Sequence, residues 1–88
     1  MDEIDDLRAR IDEIDSELVH LMNERAKLAL EVGQIKITRG MQIHNPRREA
    51  AVLRRVKEEN SGPLCHEAVQ RIFRQIIEEC RRIEIIDS

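Results

Sequence analysis

The amino-terminal part of the sequence carries an apolar seam whose residues are spaced alternately by three and four positions. The seam comprises Ile4, Leu7, Ile11, Ile14, Leu18, Leu21, Leu28, Val32 and Ile35. This period predicts one long helix that packs against another helix along its length. The seam position between Leu21 and Leu28 holds Arg25. Because an unpaired guanidinium is costly on a packing surface, we expect an anion there, from another segment or from a ligand.

Two interruptions, at residues 39–46 and 60–63, divide the chain into three helical segments without strand signals. The predicted all-α domain spans residues 1–88, with helix one at about 2–39, helix two at about 46–60 and helix three at about 63–86. The apolar stripe predicted for helix three is Val69, Ile72, Phe73, Ile76, Ile77, Cys80 and Ile83.

Local signals support the boundaries of the first two helices. Asp2 and Asn45 are suited to cap their amino ends, with Pro46 at the first helical position. Gly40 suits the left-handed residue that closes helix one. Gly33 lies inside helix one, where a glycine costs about 1 kcal/mol relative to alanine. We expect it to mark a close approach by another segment.

Helix one is too long for a compact monomer. About 37 residues with a rise of about 1.5 Å each give about 55 Å, whereas a compact chain of this length is about 30 Å across. The far half of the helix is therefore expected to bury its seam on another chain, most simply in an intertwined twofold homodimer.

Composition argues against several classes of protein. The net charge is −3, from 18 acidic and 15 basic residues, and Phe73 is the one aromatic residue. We expect no nucleic-acid partner, because such binding uses a basic excess and aromatic stacking. No run approaches the roughly 20 apolar residues of a membrane span. Cys65 and Cys80 lack a close-spaced partner, which favours the reducing cytoplasm but leaves one disulfide open. The three histidines lack metal-ligand spacing, so no metal site is predicted.

Two cations on helix one are spaced to act together. Arg25 and Lys36 are eleven residues apart, which returns nearly to the same helix face. Their side chains are long enough to converge on a small, multiply charged anion. Alternatively, because Lys36 lies near the end of the helix, its side chain could simply extend its ammonium group into solvent. Arg8 is about 25 Å from Arg25 along the axis, so it cannot reach the same pocket in its own chain. It could instead reach the pocket of a partner chain in a dimer, or form a surface ion pair with Asp5 or Asp12.

Two carboxylates interrupt the apolar faces of the other helices. Glu49 shares a face with Val52, Leu53 and Val56. There it could either pair with a cation or accept a hydrogen bond in a polar pocket, or simply interact favourably with the dipole at the start of the helix. Glu84 lies four residues after Cys80 on the stripe of helix three. Burial there would raise its pKa and favour the neutral acid, whereas a frayed helix end would leave it solvated. Together with Arg25 and Lys36, these residues predict an enclosed polar pocket.

The chain resembles the all-helical class of chorismate mutases over nearly its whole length. The matching motifs, in order, are Leu7-Arg8-x-x-Ile11-Asp12-x-Ile14-Asp15, Glu24-Arg25, Val32-Gly33-x-x-Lys36, Pro46-x-Arg48-Glu49 and Phe73-x-x-Ile76-Ile77-Glu78. The resemblance implies an intertwined homodimer of three-helix chains with two equivalent sites. It also implies the rearrangement of chorismate to prephenate, on the route to phenylalanine and tyrosine, without a cofactor.

The resemblance assigns roles to particular residues. Arg25 and the partner subunit's Arg8 would bind the two carboxylates of the substrate, while Lys36 and Glu84 would face its ether oxygen. Glu49 would accept a hydrogen bond from the ring hydroxyl. The remaining residues expected to line the substrate site are Arg48, Asn45 and Cys80. On this basis Lys36, Glu84 and Arg25 are the predicted catalytic residues.

Two positions depart from the family pattern, and other functions remain open. Asn45 stands where many members carry Asp, and Glu84 stands where some carry Gln, which predicts pH-dependent activity. An isochorismate-pyruvate lyase shares the fold and the cationic residues, although the pair Arg48-Glu49 suits the hydroxyl of chorismate. A non-catalytic helical dimerisation module would explain the seam alone. The sequence also leaves open whether the domain acts alone or within a fusion enzyme.

Overall fold

The computed structural model of the protein describes residues 2–86, with side chains described as far as Glu84. In order along the chain, the helices are α1 (Glu3–Thr38), α2 (Pro46–Glu59) and α3 (His66–Ile86). No strand occurs within these residues. The prediction of an all-α chain with one very long helix is confirmed. None of the helices in this part of the chain is both long and apolar enough to cross a membrane.

The ends of α1 and the start of α2 are closed as predicted. The Asp2 side chain accepts from the Ile4 amide at 3.2 Å, and Asn45 Oδ1 accepts from the Arg48 amide at 3.1 Å. After α1, Gly40 takes a left-handed φ of 69°. The amides of Gly40 and Met41 then donate back to the last turn, to carbonyls of Ile37 and Lys36. This pattern satisfies carbonyls that have no partner inside the helix.

The third helix begins at His66, three residues later than the predicted start at Pro63. Side-chain contacts of Asn60 hold the intervening residues in a turn. Its Nδ2 donates to the Leu64 carbonyl at 2.8 Å, and its Oδ1 accepts from the Gly62 amide at 3.3 Å. Because these bonds hold the backbone in a turn, proline here does not open the helix.

Helix α3 packs against both α1 and α2. Among the residues whose side chains are described, the buried apolar ones are Val52, Val56 and Cys80. Ile72 was predicted in the buried stripe but is 49% exposed, because it lies at one edge of that stripe. The chain is elongated, with dimensions of 57 × 25 × 15 Å, as the length of α1 requires.

The less exposed residues of helix α1 all lie in its second half, where Arg25 and Gly33 contact α3. The side chains of residues 2–24 are all exposed. Those that become less exposed in the second half are Arg25, Ala26, Ala29, Leu30, Gly33 and Lys36. Gly33 is buried, and a Cβ on it would lie 3.1 Å from Glu84 Cγ. The close approach predicted at this glycine is therefore present, and the approaching segment is α3.

The apolar seam of α1 stays exposed along its whole length. From Ile4 to Leu21 its residues are 50–60% exposed, and Leu28 in the second half is 61% exposed. The contact with α3 uses a different face, which contains Ala26, Leu30 and Gly33. That face is rotated by roughly 150° from Leu28 about the helix axis. Even the second half thus leaves its seam available for another surface.

Candidate active site

A cavity of about 310 Å³ lies between the second half of α1, the start of α2 and the end of α3. Seven of the eight predicted site residues line it, namely Arg25, Lys36, Asn45, Arg48, Glu49, Cys80 and Glu84. Its volume is at the lower end of the range typical of small-molecule sites. The predicted pocket is thus present within a single chain, and Arg8 is the one predicted residue outside it.

Arg25 and Lys36 both face this cavity as cations that have no ion-pair partner in the described part of the chain. Nη1 of Arg25 lies 3.2 Å from Cys80 Sγ, a weak acceptor, and Nζ of Lys36 donates to the Ile43 carbonyl at 2.9 Å. Among the described residues, no carboxylate oxygen lies within 4.0 Å of either group. Their charges therefore remain available to an anionic ligand. Lys36 is half-buried rather than extended into solvent.

Glu84 brings a carboxyl group to the same wall. It is half-buried, within the last turn of α3, and packs on Gly33. Burial raises the pKa of Glu84, and the nearby charges of Lys36, Arg25 and Arg81 oppose that rise only in part. The carboxyl thus favours its neutral form more than an exposed glutamate would, and a neutral carboxyl can donate a hydrogen bond.

Glu49, at the start of α2, is held from two sides. Its Oε1 accepts from Nη1 of Arg81 at 2.6 Å, and its Oε2 lies 3.1 Å from Nε2 of His44. As predicted, it shares a face with buried Val52 and Val56. The position in the first turn also suits the helix dipole. The contact with Arg81, however, ties Glu49 to α3 and makes it part of the cavity wall.

Two cationic residues of the cavity were not predicted from the sequence. Arg81 lies on α3 and Arg55 on α2, and both line the cavity. Arg81 comes four residues after Ile77, so the stripe periodicity of α3 carried a signal for it. Arg55 comes three residues after Val52, a spacing that puts it at the edge of the buried stripe, with its side chain 54% exposed. Neither interrupts the stripe itself, which is why they were missed.

Arg8 is exposed on the first half of α1, far from the cavity of its own chain. Within the described residues, its guanidinium has no carboxylate oxygen inside 4.0 Å. The surface pair with Asp5 or Asp12 that its spacing allowed is therefore not formed. Both cysteines are free thiols, Cys65 exposed and Cys80 buried.

The cavity is strongly cationic. Five cationic side chains line it, against two carboxylates, and the five are Arg25, Lys36, Arg48, Arg55 and Arg81. One carboxylate, Glu49, is already paired, and the other, Glu84, has a raised pKa. The balance of charge favours a small ligand that carries more than one negative charge. Apolar walls from Val32, Val52 and Ile77 would cover its uncharged part.

Residues 7–85 match the family described as chorismate mutase type II. The chain belongs to this family. It is 46% identical to the bifunctional chorismate mutase/prephenate dehydratase of Neisseria gonorrhoeae over 77 residues, which cover 88% of this chain and 21% of the relative. The enzyme of the same description from Aquifex aeolicus is 41% identical over 88 residues, covering 96% of this chain and 24% of that protein.

A solved chorismate mutase structure, from Thermus thermophilus, has the same fold. It superposes with a TM-score of 0.93 at 29% identity, covering 94% of each chain. The chain spans about a quarter or less of the length of the two bifunctional relatives. Together these findings confirm the resemblance found in the sequence to the all-helical chorismate mutases.

Proposed function

We propose that this domain rearranges chorismate to prephenate, as a homodimer with two equivalent sites. One observation carries the proposal: Arg25 and Lys36, which form no ion pair within residues 2–86, face a single cavity beside a carboxyl group whose pKa is raised by burial. Chorismate is a small dianion with an ether oxygen and a ring hydroxyl. The cavity offers cations for the carboxylates and a hydrogen-bond donor for the ether oxygen.

The reaction is intramolecular and pericyclic, so the site acts by positioning and by charge. Holding the flexible dianion in a compact, chair-like conformer lowers the entropic part of the barrier. Negative charge grows on the ether oxygen as the carbon–oxygen bond breaks. Lys36 and protonated Glu84 would stabilise that charge more in the transition state than in the ground state. Arg25 would bind a carboxylate.

The remaining predicted residues complete the wall of the site. Glu49 would accept from the ring hydroxyl, with Arg48 beside it on α2. The side chain of Asn45 caps α2 through the Arg48 amide, so it would act mainly by shaping this end of the cavity. Cys80 would hold the Arg25 guanidinium without neutralising it, because a thiol is a weak acceptor.

The homodimer is supported by the position of the exposed seam beside the cavity. Leu28 and Val32 belong to the seam and also line the cavity, and they are 61% and 47% exposed. A second copy that covered the seam would therefore close the cavity as well. The first half of α1 would reach across, so that Arg8 of the partner subunit could supply a further cation.

The proposal extends to the organisation and location of the domain. Residues 1–88 would act as one mutase domain, with the three helices contributing to one site. The free thiols favour a reducing compartment, and we place the domain in the cytoplasm.

The test is an ultraviolet assay of chorismate loss, with purified chain and no added cofactor. We expect formation of prephenate by a species that sedimentation identifies as a dimer. Isochorismate is offered in parallel, with an assay for free pyruvate. Pyruvate from isochorismate without prephenate from chorismate would favour the lyase, and a dimer that transforms neither would indicate a dimerisation module.

A further inference from the structure

The carboxylate of Glu49 is fixed by two donors from different parts of the chain. Arg81 comes from α3, 32 positions away, and His44 comes from the segment before α2. A carboxylate only accepts hydrogen bonds, so His44 Nε2 must carry a hydrogen in this contact. The contact of 2.6 Å between Arg81 and Glu49 is short even for a charge-assisted hydrogen bond.

This ion pair differs from the other arginine–glutamate pairs of the described chain. Those join residues three or four apart on one exposed helix face, as in the contacts of Arg82 with Glu78 and Glu79. The pair of Arg81 with Glu49 joins two helices, with side chains only 32% and 26% exposed. Because screening by water is weaker there, this pair can define a geometry that surface pairs cannot.

The pairing leaves part of Glu49 available to a ligand. A carboxylate has about four acceptor positions, of which Arg81 and His44 occupy one each. Glu49 also lines the cavity, so a hydroxyl entering the cavity can donate to an acceptor that is already held in place. An acceptor that is held in advance loses less entropy on binding than a free side chain does.

We infer that Arg81 is a positioning residue which, with His44, holds the Glu49 carboxylate for recognition of the substrate's ring hydroxyl. The inference rests on the proposed function. Arg81 differs in this respect from Arg25, whose guanidinium has no carboxylate partner. Its charge is paired with Glu49, and we expect its main effect on the reaction to pass through that carboxylate.

The experiment compares two substrates in the dimeric enzyme. One is chorismate, and the other is an analogue in which hydrogen replaces the ring hydroxyl, which can still undergo the rearrangement. With chorismate, Arg81→Met should lower kcat/KM about tenfold, the loss typical of one well-placed hydrogen bond. With the analogue, Arg81→Met should have little effect, because no hydroxyl reaches Glu49.

Two further variants control for charge and folding. Arg82→Met removes the neighbouring arginine, whose ion pairs within the described residues are with the surface glutamates Glu78 and Glu79. It should leave kcat/KM for both substrates within about twofold of wild type. Arg81→Lys keeps a cation near Glu49 without the planar fork. It should lose less activity than Arg81→Met but show the same selective loss with chorismate. If Arg81→Met does not fold, this selectivity of Arg81→Lys is the decisive measurement.

A double-mutant cycle tests whether Arg81 acts through Glu49. In a Glu49→Gln background, Arg81→Met should reduce kcat/KM for chorismate much less than it does in the wild type. Additive losses, or equal losses with both substrates, would overturn the inference and make Arg81 a direct anion-binding residue. The inference would also be overturned if Arg81→Met, like Arg82→Met, kept nearly the wild-type kcat/KM for chorismate.

The two proposals fail in different ways. A wild-type chain that rearranges neither compound refutes the proposed function and this inference with it. A wild-type enzyme that rearranges both, with Arg81 variants that do not distinguish them, refutes the inference alone. Urea unfolding of the wild type, Arg81→Met, Glu49→Gln and the double variant measures the coupling energy between Arg81 and Glu49 without any substrate. A coupling energy of zero would also overturn the inference.

Discussion

The two halves of α1 carry the same apolar seam, yet they are in different surroundings. Residues 3–24 are all exposed in the described chain. Residues 25–38 include a face that packs on α3 and a face that lines the cavity, and the seam residues Leu28 and Val32 belong to the cavity lining. The comparison shows that helical periodicity identifies an apolar face but does not identify what packs against it.

The two halves also differ in what interrupts their apolar faces. The seam from Ile4 to Leu21 has no polar interruption, as suits a surface that only packs. In the second half, Arg25, Gly33 and Lys36 break the pattern, and all three lie at the cavity or against Glu84. Interruptions therefore mark the half that lines the cavity. The following predictions test this division, beginning with the largest effect.

In the first half, Leu18→Asp should abolish the dimer and with it nearly all activity. The proposed dimer would bury this seam, so a carboxylate there would lose its hydration without gaining a partner. Sedimentation and the chorismate assay measure the two effects. The matched control is Ser16→Asp, which adds the same charge about 200° around the helix from Leu18. A dimeric and active Leu18→Asp protein would contradict the assignment of this half to packing.

In the second half, Arg25→Leu should have the opposite combination of effects. We expect kcat/KM to fall by roughly 10²–10³-fold, as for loss of a key electrostatic group, while the dimer persists. Stability should rise by about 1 kcal/mol, because leucine continues the seam without an unpaired charge. Chemical denaturation and steady-state kinetics measure both quantities. Lys27→Met is the control, since Lys27 is exposed and pairs with Glu24. Full activity in Arg25→Leu would remove Arg25 from the site.

Glu84, which packs on Gly33 in the second half of α1, should make the activity depend on pH. Its pKa is raised by burial, so the protonated and active form should decline about tenfold per pH unit above that pKa. Glu84→Gln should give a flat profile over the same range, because the amide donates at every pH. Rate measurements across pH distinguish the two proteins. An unchanged profile in Glu84→Gln would remove Glu84 from the ether-oxygen role.

The same residue should affect stability against pH. Because its pKa is higher in the folded protein, the folded state binds the proton more tightly than the unfolded chain does. Stability contributed by Glu84 is thus complete below the ordinary pKa of 4.5 and is lost as pH rises through the raised value. Denaturation midpoints measured across pH should show this loss of stability in the wild type and not in Glu84→Gln.

The two halves should complement each other between subunits. Arg8→Met and Arg25→Leu homodimers should each be nearly inactive, because each lacks one cation at both sites. When the two are unfolded, mixed equally and refolded, each hybrid dimer regains one intact site. Random assembly should therefore restore about a quarter of the wild-type activity. A mixture no more active than its components would show that Arg8 does not act across the dimer.

The smallest effect is expected at Gly33, where α1 meets α3. In Gly33→Ala, the new Cβ would lie 3.1 Å from Glu84 Cγ and 3.3 Å from its Cβ. The gain in helix propensity of about 1 kcal/mol should be outweighed by crowding of about 1–3 kcal/mol. We expect activity to fall severalfold through displacement of the Glu84 carboxyl. Gln34→Ala, at an exposed position, is the control; equal effects of the two would contradict a specific role for Gly33.

Much of the fold could be predicted because its signals are local. The caps at Asp2 and Asn45 and the left-handed Gly40 are all present. The start of α3 at His66 could not be predicted, since it depends on the bonds of Asn60 to Leu64 and Gly62. For the cavity, residues that break an apolar stripe were recognised, whereas Arg81 and Arg55 lie at stripe edges, where arginine is ordinary.

The sequence by itself determined that the chain is three helices, that the first is too long for a compact monomer, and that Arg25, Lys36 and Glu84 cannot be ordinary core residues. These conclusions follow from periodicity and the cost of burying charge, which need no knowledge of neighbours. Only the tertiary structure decided that Glu49 is held by Arg81 and His44, and that burial raises the pKa of Glu84. Such contacts join residues far apart in the chain, and their distances are set by how the helices pack.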